Sequence, residues 1–298
     1  MASRKAFLTP WNYVDADPYA GIAPAVYSGP EGDWLESGDM TLDNLHSRFM
    51  LRVSRSSGTT ASLFVVLDEP RLIQCVGVMG HNMSGQARVQ VVGYDDAGMT
   101  IEHAGANTGN QPVWPRYVPS GMLPFEARNW WTGQPTAEDL ARVPRSWFTL
   151  LDQPRYTKYW GFHFSDPNNP AGYIDISRVI LAPIIQFSVN FTYGSTFGWG
   201  SRSTASYSLG GVKFSNYVPP YRVAALNIEH LLQDESFALL RAQSRRGTDR
   251  AAFMCLDPGD SQNRQVYSFM SYFNELVPMI FSSPNRRSFG TINFEEAL

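Results

Sequence analysis

Residues 62–96 read SLFVVLDEPRLIQCVGVMGHNMSGQARVQVVGYDD, and three short apolar pieces are written into them. Ser62–Pro70 is apolar and stopped by proline, and Arg71–Gly80 is similar and stopped by glycine. Ala87–Asp96 sets Val89 and Val91 on one face against Arg88 and Gln90 on the other, then ends in an acidic turn. Alternation with this punctuation predicts strands, and the short connections predict antiparallel neighbours.

Outward from this stretch, Ser28–Asp43 is turn-rich and acidic, a lead-in rather than core. On the far side, Tyr156–Asp166 (YTKYWGFHFSD) places Trp160, Phe162 and Phe164 on one face and Tyr159, Gly161 and His163 on the other. After the turn DPNNPAG, Tyr173–Ile185 (YIDISRVILAPII) puts Ile174 and Ile176 on a common face before a continuous apolar run. The two segments read as a hairpin closing the sheet. Past Phe187 the texture changes to Gly, Ser, Thr and aromatics, which sets a domain boundary near residue 190. A second pattern follows: a strand at Tyr221–Ile228, a helix around DESFALLRAQSRRG and a strand at AAFMCLDP, with later strands at Leu276–Phe281 and Arg287–Phe294. In the helix Asp234 or Ser236 can cap, Phe237, Leu239, Leu240 and Ala242 supply an apolar side, and Arg241, Arg245 and Arg246 precede Gly247 as a stop.

Composition bounds the class. The chain has 298 residues, enough for two ordinary domains. It is 43% hydrophobic, 13% aromatic and only 17% charged, so it has material for a core and lacks the charge of a disordered chain. Twenty-four Gly and twenty Pro leave little room for long helices. A net charge of -3 removes the basic footprint of a nucleic-acid binder. No stretch reaches membrane-spanning length, so no membrane insertion is expected, and the start MASRKAFLTPWNY has no apolar leader. Synthesis in a cytoplasm is expected, with exit only as part of a particle. Cys75 and Cys255 each sit in an apolar run and read as two buried thiols rather than a disulfide framework.

Residues 101–147 break the strand rhythm with six prolines and a set of aromatics. Long excursions of this kind are usually functional or interface-forming, and a short helix fits at Thr136–Val143. Trp114, Tyr117, Trp130 and Trp131 are the candidate contact residues, as an interface with a neighbouring subunit or, alternatively, as a stacking platform for sugar. The basic helix end Arg241, Arg245, Arg246 with Arg250 reads as solvated, although it could grip a partner's acids. No HExxH, GxSxG, P-loop or CxxC pattern is present, and the five histidines are scattered, so neither catalytic residues nor a metal or other cofactor is expected. Asp166–Gly172 and Val14–Gly21 carry oxygen donors that could hold calcium, but turn chemistry explains them more simply.

Asp43–Asp96 resembles the galactose-binding-like domains of phage virion proteins. The matching positions are Asn44, Leu45, Arg55 and Ser56, then Asp68 at a strand end, then Gly80, His81 and Asn82 in a turn. Ile174, Ile176, Arg178 and Leu181 are similar to the closing segment of the same family. The second half resembles a module of tail-tip and baseplate proteins of long-tailed phages, the distal-tail class among them. The resemblance implies a mainly β protein: a galactose-binding-like (discoidin-type) jelly-roll β-sandwich over residues 1–190, followed by a smaller α+β module over 191–298. It implies a structural protein of the virion, in tail tip or baseplate, made in the bacterial host cytoplasm and joined to other copies of itself in a ring and to other tail proteins. The alternative is a carbohydrate-binding module that attaches the particle to host surface glycan.

Overall fold

A computed structural model describes residues 5–15, the backbone of 26–31, and residues 34, 54–115, 122, 129, 130, 133, 145–260, 262–283 and 285–297. The protein is mainly β, with an antiparallel sandwich and a second antiparallel sheet carrying a helix. The sandwich strands are β2 (Val26–Glu31), β3 (Ser54–Arg55), β4 (Thr60–His81), β5 (Arg88–Tyr94), β6 (Glu102–Asn107), β7 (Gln111–Pro112), β8 (Ser146–Ser165) and β9 (Asp175–Ala182). Their order is β3-β9-β4-β8-β5-β6, with β2 also on β4 and β7 on β5.

The ribbon of β4 and β8 forms the spine. Val66 faces Tyr159 and Arg71 faces Thr157, so residues 67–70 bulge from β4; Ile73 faces Arg155 and Cys75 faces Leu150, so residues 151–154 bulge from β8. Pro70 and Pro154 lie in these exposed bulges, where no ladder hydrogen bond needs their missing N–H. The bends let one ribbon serve two layers. Its outer half is flanked by β2 and β5, and its other half by β9. The strands predicted on either side of Pro70 are therefore one strand. The predicted β4–β5 neighbours are separated by β8, and β9 pairs with β4 and β3, so it closes no hairpin with β8. In each case the pairing that wins is the one running the length of the long ribbon.

Alternate side chains from both layers fill the sandwich core, among them Leu63, Val65, Val76, Val78, Val89, Val91, Trp147, Trp160, Phe162, Val179 and Leu181. Trp34, in the acidic lead-in, joins it: its indole N–H donates to the Ser62 carbonyl at 3.0 Å and its ring meets Phe164 edge-on.

The second sheet contains β1 (Phe7–Leu8), β10 (Ile185–Gln186), β11 (Thr196–Gly200), β14 (Tyr221–Leu231), β15 (Ala252–Cys255), β16 (Ser268–Phe273), β17 (Met279–Ser283) and β18 (Arg286–Glu296). The order is β10-β1-β15-β16-β18-β14-β11, with β17 also on β18. Sheet membership does not follow the boundary drawn at residue 190. Phe7 and Leu8 pair with Cys255 and Met254, and Thr9 exchanges hydrogen bonds of 2.8–3.0 Å with Phe253. The helix Gln233–Arg246 buries Leu239 and Ala242 and stops at Gly247, whose φ of 60° suits glycine. At its start the Glu235 carboxylate, rather than Asp234 or Ser236, takes the Leu232 N–H at 3.1 Å. The Arg222–Glu296 ion pair, each side chain 2% exposed, ties β14 to the end of β18, and Arg222 also donates to the carbonyls of Gln265, Val266 and Ser268.

A third apolar cluster joins the two units. Cys75, Phe148, Ile180 and Ala182 face out from the sandwich onto Phe7, Phe253, Cys255, Met270 and Ala297, with the Phe148 and Phe253 rings 4.9 Å apart. This explains why all of β9 is buried and why its sequence is a continuous apolar run: both of its faces are covered. Cys75 and Cys255 are free thiols in this layer; burial pushes the Cys255 thiol up to about 12, so both behave as small hydrophobes. No helix among the described residues is long and apolar enough to cross a membrane.

Candidate functional site at one end of the sandwich

Of the four candidate contact residues, Trp114 and Trp130 are described. Trp114 is 1% exposed; its indole N–H donates to the Met83 carbonyl at 3.1 Å and its ring packs edge-on against His81 at 5.4 Å. A ring enclosed in this way stacks on neither a sugar nor a neighbouring subunit, so Trp114 is a core residue. Trp130 is half-buried, and Tyr117 and Trp131 lie outside the described residues, as does the predicted helix at 136–143.

A different group comes together where β3, the turn 82–87 and the turn 166–174 meet. The β3–β9 pairing sets Arg55 opposite Asp175. The Arg55 guanidinium donates from Nε to Asp175 Oδ1 at 2.8 Å and from Nη2 to Oδ2 at 3.0 Å, a bidentate contact that raises its already high pKa. The same guanidinium lies 3.9 Å from the centre of the half-buried Tyr173 ring. Its side chain is 42% exposed while that of Asp175 is 9% exposed, so the cation reaches solvent and its carboxylate partner does not.

Beneath it the turns are locked by hydrogen bonds. Asn82 donates from Nδ2 to the Tyr173 carbonyl at 3.0 Å and accepts from the Asp175 N–H at 2.8 Å. Asn169 donates to the same Tyr173 carbonyl at 3.0 Å. Ser56 accepts from the Ile174 N–H at 2.9 Å, and the fully buried Asp166 carboxylate accepts the Ser84 N–H and hydroxyl. Both Asp166 oxygens are thus engaged inside the turn that was a calcium candidate. Among the described residues no group of three or more His, Cys, Asp or Glu is placed to hold a metal ion. Exposed Gln86 and Asn168, hydrogen-bonded to each other, extend the polar rim. The site offers a flat cation over an aromatic ring beside fixed amides, an arrangement suited to holding a polar, flat-faced ligand.

His81 lies under this rim, wholly buried. Its Nδ1 accepts the Met83 N–H at 3.3 Å, and Nε2 has no hydrogen-bond partner among the described residues. Burial first, and the positive charge of Arg145 second, push its pKa down to about 3, so it is neutral.

Sequence reasoning marked Arg55, His81 and Asn82 only as features of a fold, and missed Tyr173 and Asp175 as site residues. The Gly-His-Asn turn was the available signal. The 120-residue separation of Arg55 from Asp175 hid the rest.

Some solved structures are similar to part of this chain. The family 32 carbohydrate-binding module from Streptococcus pneumoniae EndoD matches at a TM-score of 0.33 and 15% identity, covering 57% of this chain and 98% of that one. A Streptococcus pneumoniae fucose binding module matches at 0.30 and 12%, covering 58% and 94%. The N-terminal domain of the single-strand break repair protein XRCC1 matches at 0.26 and 20%, covering 47% and 85%. Likeness at this level identifies no ligand. No protein-family model and no curated protein matches the sequence.

Proposed function

We propose that this protein binds rather than catalyses, and that the end of its sandwich around Arg55, Tyr173, Asn82 and Asn168 takes a sugar unit of a cell-surface glycan. The observation that carries the reading is the half-exposed Arg55 guanidinium, fixed by both oxygens of Asp175 and stacked 3.9 Å over Tyr173. A sugar presents adjacent hydroxyls in a plane and an apolar C–H face. Planar, bidentate polar groups match the hydroxyls, and flat π-systems match the face. The network below the pair holds it in place, so little ordering cost falls on binding.

Glycan-array binding by the full chain tests this. Retention of a defined class of glycan is expected, with Arg55→Ala and Tyr173→Ala each lowering affinity about tenfold or more while the thermal midpoint moves little. A chain that retains no glycan, or binding indifferent to both substitutions, refutes the reading.

A second reading draws on a separate observation, an apolar hairpin at 204–216 that stands clear of the body. It makes the chain a structural subunit of a phage tail tip or baseplate, assembled in the virion with copies of itself and other tail proteins. Imaging of particles with a labelled chain tests it: label at the tail tip supports it, and absence from the particle removes it.

A further inference from the structure

Hairpin β12 (Thr204–Tyr207) and β13 (Lys213–Asn216) leaves the second sheet between β11 and β14 and forms a two-stranded sheet of its own. Every residue of both strands is exposed, so neither face rests on the chain it belongs to. Its neck is fastened where Ser203 Oγ donates to the Val218 carbonyl at 3.0 Å and accepts the Val218 N–H at 2.9 Å, and its tip turns through Gly211. An isolated hairpin is marginal in water, and this one displays Tyr207 (68% exposed), Leu209 (113%), Val212 (58%), Phe214 (59%) and Tyr217 (74%). With about 150–250 Å² for a large aromatic side chain, these five present on the order of 600 Å². A specific interface buries roughly 800 Å² per partner, and because Tyr207 and Phe214 project from opposite faces of the arm, that area is approached only where a partner continues the sheet and meets both faces.

The complementary surface is at the other end of the same sheet. β17 pairs only with β18, at Arg286–Phe289, and its outer edge carries no strand among the described residues. Ile280 (52% exposed) and Phe281 (71%) project from it beside Leu276 (51%). An unpaired edge with apolar side chains invites another strand. The hairpin, however, departs where Gly200 faces Tyr221, beyond the Val223–Glu295 pairing. Phe289 to Glu295 spans roughly 20 Å of strand at about 3.3 Å per residue. One chain's hairpin thus leaves the sheet at the strand end opposite to its own β17, so a second molecule is what brings the two apolar surfaces together.

The geometry points to a second copy of this chain as the occupant: the β12–β13 arm of one molecule docks along the β17 edge of the next, adding strand to strand. Because the two surfaces differ, the contact is head-to-tail and propagates into a ring or filament. This goes beyond the glycan reading and uses none of its residues; it shares the hairpin with the second reading but does not require a virion.

Sedimentation velocity of the full-length chain over a rising concentration series tests it. Species larger than monomer are expected to grow with concentration. Phe214→Asp on the arm, or Phe281→Asp or Ile280→Asp on β17, each weakens association at least about tenfold, with circular dichroism unchanged. Mixing the Phe214→Asp and Phe281→Asp proteins restores a discrete dimer, because the intact arm of the second meets the intact β17 of the first. A chain monomeric throughout, association untouched by Phe214→Asp, or a mixture no better than either variant alone overturns the proposal. Arg55→Ala leaves association unchanged, so a failed glycan reading and a failed docking reading give different results.

Discussion

The β4–β8 ribbon and the β12–β13 hairpin are both antiparallel pairs that carry aromatic residues, and they use those residues in opposite ways. On the ribbon, Trp147, Trp160, Phe162 and Phe164 are all at most 1% exposed, because strands flank it on both sides and a second layer covers its inner face. On the hairpin, Tyr207 and Phe214 are more than half exposed, with no third strand beside the pair and no layer above it among the described residues. An aromatic on a strand therefore announces a need for cover; the tertiary arrangement decides whether the cover comes from the same chain.

The contrast is sharpest in stability. Trp160→Ala removes a side chain wholly inside the sandwich and is expected to cost about 3–5 kcal/mol, seen as a large fall in the urea midpoint. A loss near zero would mean the core is not packed as described.

Acid probes the same core through His81. Its pKa falls from the ordinary 6.5 to about 3 in the folded chain. Above pH 6.5 it is neutral whether folded or not and contributes nothing. Below that, the unfolded chain takes up a proton that the folded chain refuses, so stability falls as pH drops from 6.5 towards 3. The full effect is on the order of 5 kcal/mol. Urea unfolding of His81→Gln at pH 7 and pH 4 is expected to show a shallower acid loss than the native chain; equal slopes would remove His81 as the cause.

The smallest effect is expected on the hairpin. Phe214→Ser should change folding stability by no more than about 0.5 kcal/mol by thermal or urea unfolding, while weakening self-association. A loss of several kcal/mol would show that the arm packs on its own chain and would erase the contrast with the ribbon.

Much of the local structure was legible. Val89 and Val91, Trp160, Phe162 and Phe164, and the apolar run of β9 all point into cores as their spacing predicts, and the helix ends at Arg245, Arg246 and Gly247. The candidate site was barely legible. Trp114 looked like a contact residue because Pro-rich loops so often carry one, yet its indole closes over His81. Arg55 and Asp175 looked unrelated because nothing in either segment names the other.

By itself, then, the sequence determined a mainly β chain, the phase of its strands and the position of its one long described helix, because alternation, helical period and caps are set by backbone geometry over a few residues. Only the tertiary structure decided that Pro70 sits in a bulge within one strand, that β8 lies between β4 and β5, and that Phe7 and Leu8 belong to the second sheet. It also decided which aromatics meet water. Pairing and burial depend on segments far apart in the chain, and no local pattern carries that information.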